Sequence, residues 1–315
     1  MKRLCILILF LVAGVKMAWA QYDMQLSQYY MALGYYNPAY AGATGELNVM
    51  ALGRLQWVGF EGAPKSFFVM ADMPLKIKKT NHGIGLAMFT DGIGMFQNTH
   101  VGFQYAYKQK LFGGVLSGGV QLGFVNQSFD GEKVHYPNSQ FHQQEDEAIP
   151  TEQVSGMGMD INVGLYYKLK NFYAGIGMTH VNQVEIDLDE YSSMYLASTY
   201  NFTAGYNIKF ANPLYELQPS VFLKTDFNIF QADITARLWF NSMFSGGLSW
   251  RVNEAVVLVL GAKFGKFRVG YAYDFPTNPV FIRSTSGSHE LVLSYSLQLK
   301  KTKKGKNRHK SVRIL

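Results

Sequence analysis

The residues best able to do chemistry in this chain are seven histidines, a scatter of acids and several serines. Hydrolysis by a triad mounted on one rim of a fold needs Ser, His and Asp or Asn converging on a point. The histidines are dispersed instead, and no serine sits in a nucleophile-elbow setting. The densest acid–base cluster is His135, His142, Glu145, Asp146 and Glu147. Its spacing matches no established divalent-cation site and reads as an acidic, solvated loop. His289-Glu290 has the makings of a pair at a strand start rather than of a catalytic dyad. Gly83-Ile84-Gly85 and Gly175-Ile176-Gly177 look like pieces of a nucleotide loop, but no P-loop or dinucleotide fingerprint is complete. Cys5 is the single cysteine, so no disulfide or thiol chemistry is expected downstream of it. The expectation is a non-enzymatic chain with no cofactor and no metal.

The elements that position these residues are written in the hydrophobic pattern. Lys2 and Arg3 precede an apolar run over 4–15, and Ala18-Trp19-Ala20 follows, which predicts a signal peptide over residues 1–20. That run is too short for a spanning helix, which needs about 20 residues. Hydrophobic residues reach 48% of the chain, yet no later stretch is long and apolar enough to cross a bilayer as a helix. They alternate with polar or small residues instead. Phe202, Ala204, Tyr206, Ile208 and Phe210 interleave with Asn201, Thr203, Gly205, Asn207 and Lys209. Leu291, Leu293, Tyr295, Leu297 and Leu299 do the same near the end. Period two is the signature of strands with one face apolar.

Such segments recur near 46–58, 63–75, 82–90, 98–110, 115–129, 156–168, 172–180, 197–210, 214–225, 229–240, 244–251, 255–264, 267–274 and 289–299. Fourteen is an even number, as single-chain outer-membrane barrels require. The long connections, near 130–155, 181–196 and 275–288, then fall on one side and the short turns on the other, the known asymmetry of these barrels. Charged residues are only 16%, whereas aromatics and the 31 glycines are abundant, which suits a wall facing lipid with aromatic girdles. The predicted fold is all-β, a transmembrane antiparallel β-barrel of 14 strands over residues 46–299 with both termini in the periplasm. Residues 21–45 lack clean alternation and form an irregular N-terminal segment able to plug the lumen.

The net charge of +7 is unevenly spread. Residues 300–315 hold Lys300, Lys301, Lys303, Lys304 and four further basic residues, with no acid. The rest of the chain beyond the leader is mildly acidic. In an exported chain such a tail meets no nucleic acid, only anionic lipid, wall polymer or an acidic protein.

Four motifs in order resemble the PorP/SprF family of type IX secretion proteins. Ser27-Gln28-Tyr29 with Asn37-Pro38-Ala39-Tyr40-Ala41-Gly42 is similar to the family's opening. Arg54-Leu55-Gln56-Trp57 and Gly62-Ala63-Pro64-Lys65 are similar to its first hairpin. Gly270-Tyr271-Ala272-Tyr273-Asp274 with Gly287-Ser288-His289-Glu290 is similar to its closing hairpin. The resemblance implies an outer-membrane component of the type IX secretion and gliding-motility machinery of Bacteroidetes-type bacteria. It also implies periplasmic and lipoprotein partners, and exported adhesins with C-terminal sorting domains as cargo. The basic tail is less typical of the family.

Each motif carries two readings. Asn37, Pro38 and Gly42 either fix how the N-terminal segment enters the first strand or form a docking surface. Arg54, Gln56 and Asp274 lie on the polar phase, where a lumen-facing charge network is usual, and Arg54 and Gln56 are also candidate partner contacts. Trp57 is a girdle residue or a cargo contact. Lys300, Lys301, Lys303 and Lys304 bind a partner or are merely solvated. An anchor or adaptor of the secretion machine is the first functional reading. A porin or hydrophobic-solute channel is the alternative, since a 14-stranded barrel is wide enough to hold a lumen.

Overall fold

The computed structural model describes residues 23–134, 150–190 and 192–299. The predicted signal peptide over residues 1–20, the acidic cluster from His135 to Glu147 and the basic stretch with Lys300, Lys301, Lys303 and Lys304 lie outside them. Fourteen antiparallel strands close into a barrel. In chain order these are β1 (Leu47–Leu55), β2 (Lys65–Ile77), β3 (Thr80–Ile93), β4 (Phe96–Leu111), β5 (Gly114–Asp130), β6 (Gln153–Lys168) and β7 (Phe172–Thr179). A two-stranded hairpin, β8 (Glu185–Asp187) and β9 (Ser193–Tyr195), lies within the next connection. The barrel resumes with β10 (Thr199–Tyr206), extended by β11 (Ile208–Lys209), then β12 (Tyr215–Thr225), β13 (Phe230–Phe240), β14 (Phe244–Arg251), β15 (Ala255–Phe264), β16 (Phe267–Pro276) and β17 (Ser288–Leu297). Pairing of β1 with β17 closes the ring, so no barrel edge is left to template aggregation.

Connections sort by length. One rim carries tight turns. Phe112-Gly113 and Asn241-Ser242 both place two consecutive residues at positive φ, the backbone that matches strand twist in a short hairpin. The opposite rim carries the long connections after β1, β5, β7 and β16.

Alternation sets the two faces of the wall. Leu86, Phe103, Leu122, Leu165, Leu248 and Leu291 point outward, each more than half exposed. Leaving so much apolar surface uncovered is stable only where the surroundings are apolar too. Cross-strand aromatic pairs ring the outer wall near both rims. Tyr215–Phe240, Phe244–Phe264 and Phe267–Tyr295 mark the short-turn end, and Phe96–Phe129 and Tyr200–Phe227 the other. The inner face carries buried polar residues such as Gln104, Asp160, Asn201, Asp233 and Arg251.

The lumen is filled by the chain's own N-terminal segment. Residues 24–41 are almost entirely buried, and Tyr29, Tyr35 and Tyr36 pack against Phe68, Phe89 and Phe222 of the wall. The segment runs the length of the barrel. Asp23 meets Thr179 and His180 at the long-loop rim, and Gly42 meets Asp72 toward the short-turn rim. Two wall glycines permit its close approach, because a Cβ on Gly177 would strike the Tyr36 carbonyl and one on Gly83 the Ala41 carbonyl. The β8–β9 hairpin folds into the long-loop mouth, where Val184, Ile186 and Leu196 pack against Val125.

Candidate functional site

Two ionic clusters tie the lumen segment to the wall. In the first, Arg54 on β1 reaches Asp274 on β16 at 2.7 Å and Glu290 on β17 at 3.2 Å. All three side chains are at most 4% exposed. The Glu290 carboxylate accepts the backbone N–H groups of Ser27 and Gln28, both at 2.8 Å. Ser27 donates its hydroxyl to Asp274 and receives an Arg54 N–H at 2.8 Å. Arg251 on β14 adds Asp233 at 2.8 Å and Asp274 at 3.2 Å. A buried charge is tolerable only when paired and hydrogen-bonded. Here that condition is met by residues of five strands together with the segment.

The second cluster is a relay of rings and carboxylates. His100 Nε2 stands 2.9 Å from Asp160, whose other oxygen lies 2.8 Å from His180 Nδ1. His180 Nε2 then meets Asp23 at 2.9 Å. A carboxylate only accepts, so both nitrogens of His180 carry hydrogen and the ring is a cation. Burial alone would lower the pKa of His180, but the Asp23 and Asp160 carboxylates raise it to about 10. Burial likewise disfavours the Asp23 carboxylate, yet the charges of His180 and Lys224 hold it well below the ordinary carboxylate range. His180 lies just beyond β7 and Asp23 at the start of the segment, so this pair fastens one to the other.

The motif residues are distributed through this arrangement. Asn37 donates its amide to the carbonyls of Leu165 at 2.9 Å and Ile176 at 3.2 Å, and accepts the N–H of Ala39 at 3.0 Å. It thereby caps the single turn Pro38–Tyr40 and pins it between β6 and β7. Gly42 has φ +64° and donates its N–H to Asp72 at 2.7 Å. Gln56 is buried and donates to Gln25 at 3.2 Å. Trp57 opens the connection after β1, with φ 47° and its N–H on Ser288 at 3.0 Å. His289 and Glu290 point to opposite faces. Glu290 faces the lumen, and His289 bonds Tyr271 at 2.7 Å on the outer side. Sequence reasoning passed over Asp23, His100, Asp160, His180, Asp233 and Arg251. Strand phase offered a signal for the four that lie within strands, since an isolated charge on the inward phase of a barrel strand must find a partner.

Together these features define an outer-membrane β-barrel whose interior is occupied by its own N-terminal segment. The chain matches the family described as "Type IX secretion system membrane protein PorP/SprF" over residues 18–295 and belongs to that family. No curated protein matches it. Among solved structures it is similar to the toluene transporter TodX of Pseudomonas putida, at 11% identity with TM-score 0.50, covering 88% of this chain and 95% of that one. It is also similar to the toluene transporter TbuX of Ralstonia pickettii, at 13% identity with TM-score 0.48, covering 84% and 92%. At such identities the likeness concerns the fold alone.

Proposed function

We propose that the protein is a non-catalytic anchor or cargo adaptor of the type IX secretion apparatus, working through its two rims rather than through an open pore. The observation that carries this reading is the lumen segment: residues 24–41 are almost entirely buried, Ser27 and Gln28 are held by the buried carboxylates of Asp274 and Glu290, and Asp23 is held by His180. A conduit would have to break several buried charge-assisted bonds to open, and each costs roughly 1.5–3 kcal/mol. In this reading the leader is removed on export, the long connections face exported cargo, and the short turns and basic tail face periplasmic components. Lys300, Lys301, Lys303 and Lys304 then serve as an electrostatic contact, and Trp57 and the rim around it as part of the cargo-facing surface.

Planar-bilayer conductance of the intact chain, beside a variant lacking residues 21–45, tests the proposal. The intact protein is expected to be closed and the variant to form a stable pore. Steady conductance by the intact protein, combined with normal secretion and gliding in a deletion strain, would overturn the adaptor reading in favour of a solute channel. Recovery of periplasmic partners should also fall when residues 300–315 are removed, and should weaken with salt, since exposed charges are screened beyond roughly 8–10 Å.

A further inference from the structure

The two halves of the lumen are electrostatically unlike. In the half nearest the long connections, Arg54, Arg251 and Lys224 all have carboxylate partners. Toward the short turns lies a cavity of about 370 Å³, bounded on one side by the N-terminal segment and lined by Lys168, Arg237, Lys263 and Arg268. Glu216 is the sole acid among its described lining residues. None of the four cations is ion-paired among the described residues.

Arg237 is held in place without being neutralised. Its guanidinium lies 3.4 Å from the centre of the Tyr30 ring, and one terminal N–H donates to Gln218 at 3.0 Å. Trp239 donates to the same Gln218 oxygen at 3.0 Å, locking that acceptor. The buried Nε of Arg237 has no hydrogen-bond partner. Arg268 lies 5.7 Å from the Trp239 ring, and Lys168 makes only a long bond, 3.4 Å, to the Ala43 carbonyl. Stacked, pre-oriented guanidinium groups with free N–H edges are the usual receptor for a carboxylate.

From this geometry we infer that the cavity is a docking pocket for a carboxylate-rich segment of another polypeptide, entering past the short turns. The aromatic walls offer surfaces for its side chains, and the open side admits an extended chain. The chain's own residues 300–315 do not suit the pocket, because they carry eight basic residues and no acidic side chain. A charge of that sign favours the approach of an acidic partner. That the occupant is a polypeptide rests on the adaptor reading; that the pocket receives an anion does not.

Cysteine trapping tests this directly, since Cys5 is the only cysteine. In a Cys5→Ser background, Ser242→Cys puts a thiol on the pocket's lip, and Ser286→Cys puts one on the opposite rim as control. The folded full chain in detergent is offered an Asp/Glu decapeptide ending in an activated cysteine, or its Asn/Gln counterpart. The acidic peptide is expected to trap at Ser242→Cys about tenfold faster than the neutral one, equivalent to ~1.4 kcal/mol, and to show no preference at Ser286→Cys. Adding Arg237→Gln and Arg268→Gln should abolish the preference, with Lys263→Gln as the milder variant if the double change impairs folding, scored by heat-modifiable gel mobility. Equal trapping of both peptides, or a preference that survives the charge substitutions, overturns the proposal. Protection by inorganic phosphate as complete as by free acidic peptide overturns the polypeptide assignment in favour of a small anion. Normal secretion in a deletion strain would retire the adaptor reading while leaving the trapping result unchanged, so the two failures are distinguishable.

Discussion

Arg54 and Glu290 are register partners across the seam where β1 meets β17, and their side chains join at 3.2 Å inside the barrel. This ion pair across the closing seam is therefore also part of the cluster that holds Ser27 and Gln28. Seam and lumen segment thus share one buried ionic cluster.

Arg54→Met should therefore be severe. It leaves Asp274 with only the more distant Arg251, and Glu290 with no cation within bonding distance. Breaking a buried ion pair by removing one partner costs about 3–5 kcal/mol. Denaturant unfolding in micelles should show a loss of that size, partly restored by adding Glu290→Gln. A loss below about 1 kcal/mol would place the cluster among dispensable ion pairs.

The His180 latch predicts an alkaline limit. The folded pKa is raised to about 10 from an ordinary value of 6.5, so the contribution is fully present below pH about 6.5 and is lost as the pH rises through about 10. Conductance of the intact protein should stay at baseline near neutrality and rise at the alkaline end. His180→Gln should open at neutral pH and lose that dependence, which separates the latch from general titration of lysine and tyrosine.

Gly177→Val tests the close approach in the lumen. The new side chain would collide with the Tyr36 carbonyl, while the outer face of β7 is untouched. The barrel should still fold and show heat-modifiable mobility, but with the segment displaced and conductance raised. A folded, closed variant would mean that the segment has another route through the barrel.

The outer wall makes a prediction about solvent. Phe103 lies mid-strand on β4 and is 54% exposed, whereas Phe112 sits in a turn at 86%. In bilayers Phe103→Arg should cost about 2–4 kcal/mol and Phe112→Arg only about 0–1, because a charge is least tolerated at the membrane midplane. Equal effects at the two positions would argue against a lipid-facing wall.

The barrel was legible in the sequence because its wall obeys a local rule. Each strand separates lipid from lumen, so Phe202 and Asn201 must differ in polarity whatever their neighbours do. The sorting of turns and loops followed from the same phase, and the inward placement of Arg54 and Asp274 could be read from it. What occupies the lumen could not. Residues 24–42 show no alternation because the barrel wall surrounds them, and Asn37 or Ser27 is satisfied by atoms more than a hundred residues away in sequence. His180, Asp160 and Asp23 become one cluster only when β6, β7 and the segment converge, and the unmatched cations Arg237 of β13 and Arg268 of β16 meet only where the closed barrel makes them line one cavity. Period and polarity thus determined the wall; only closure of the ring, which pairs β1 with β17, decided its contents.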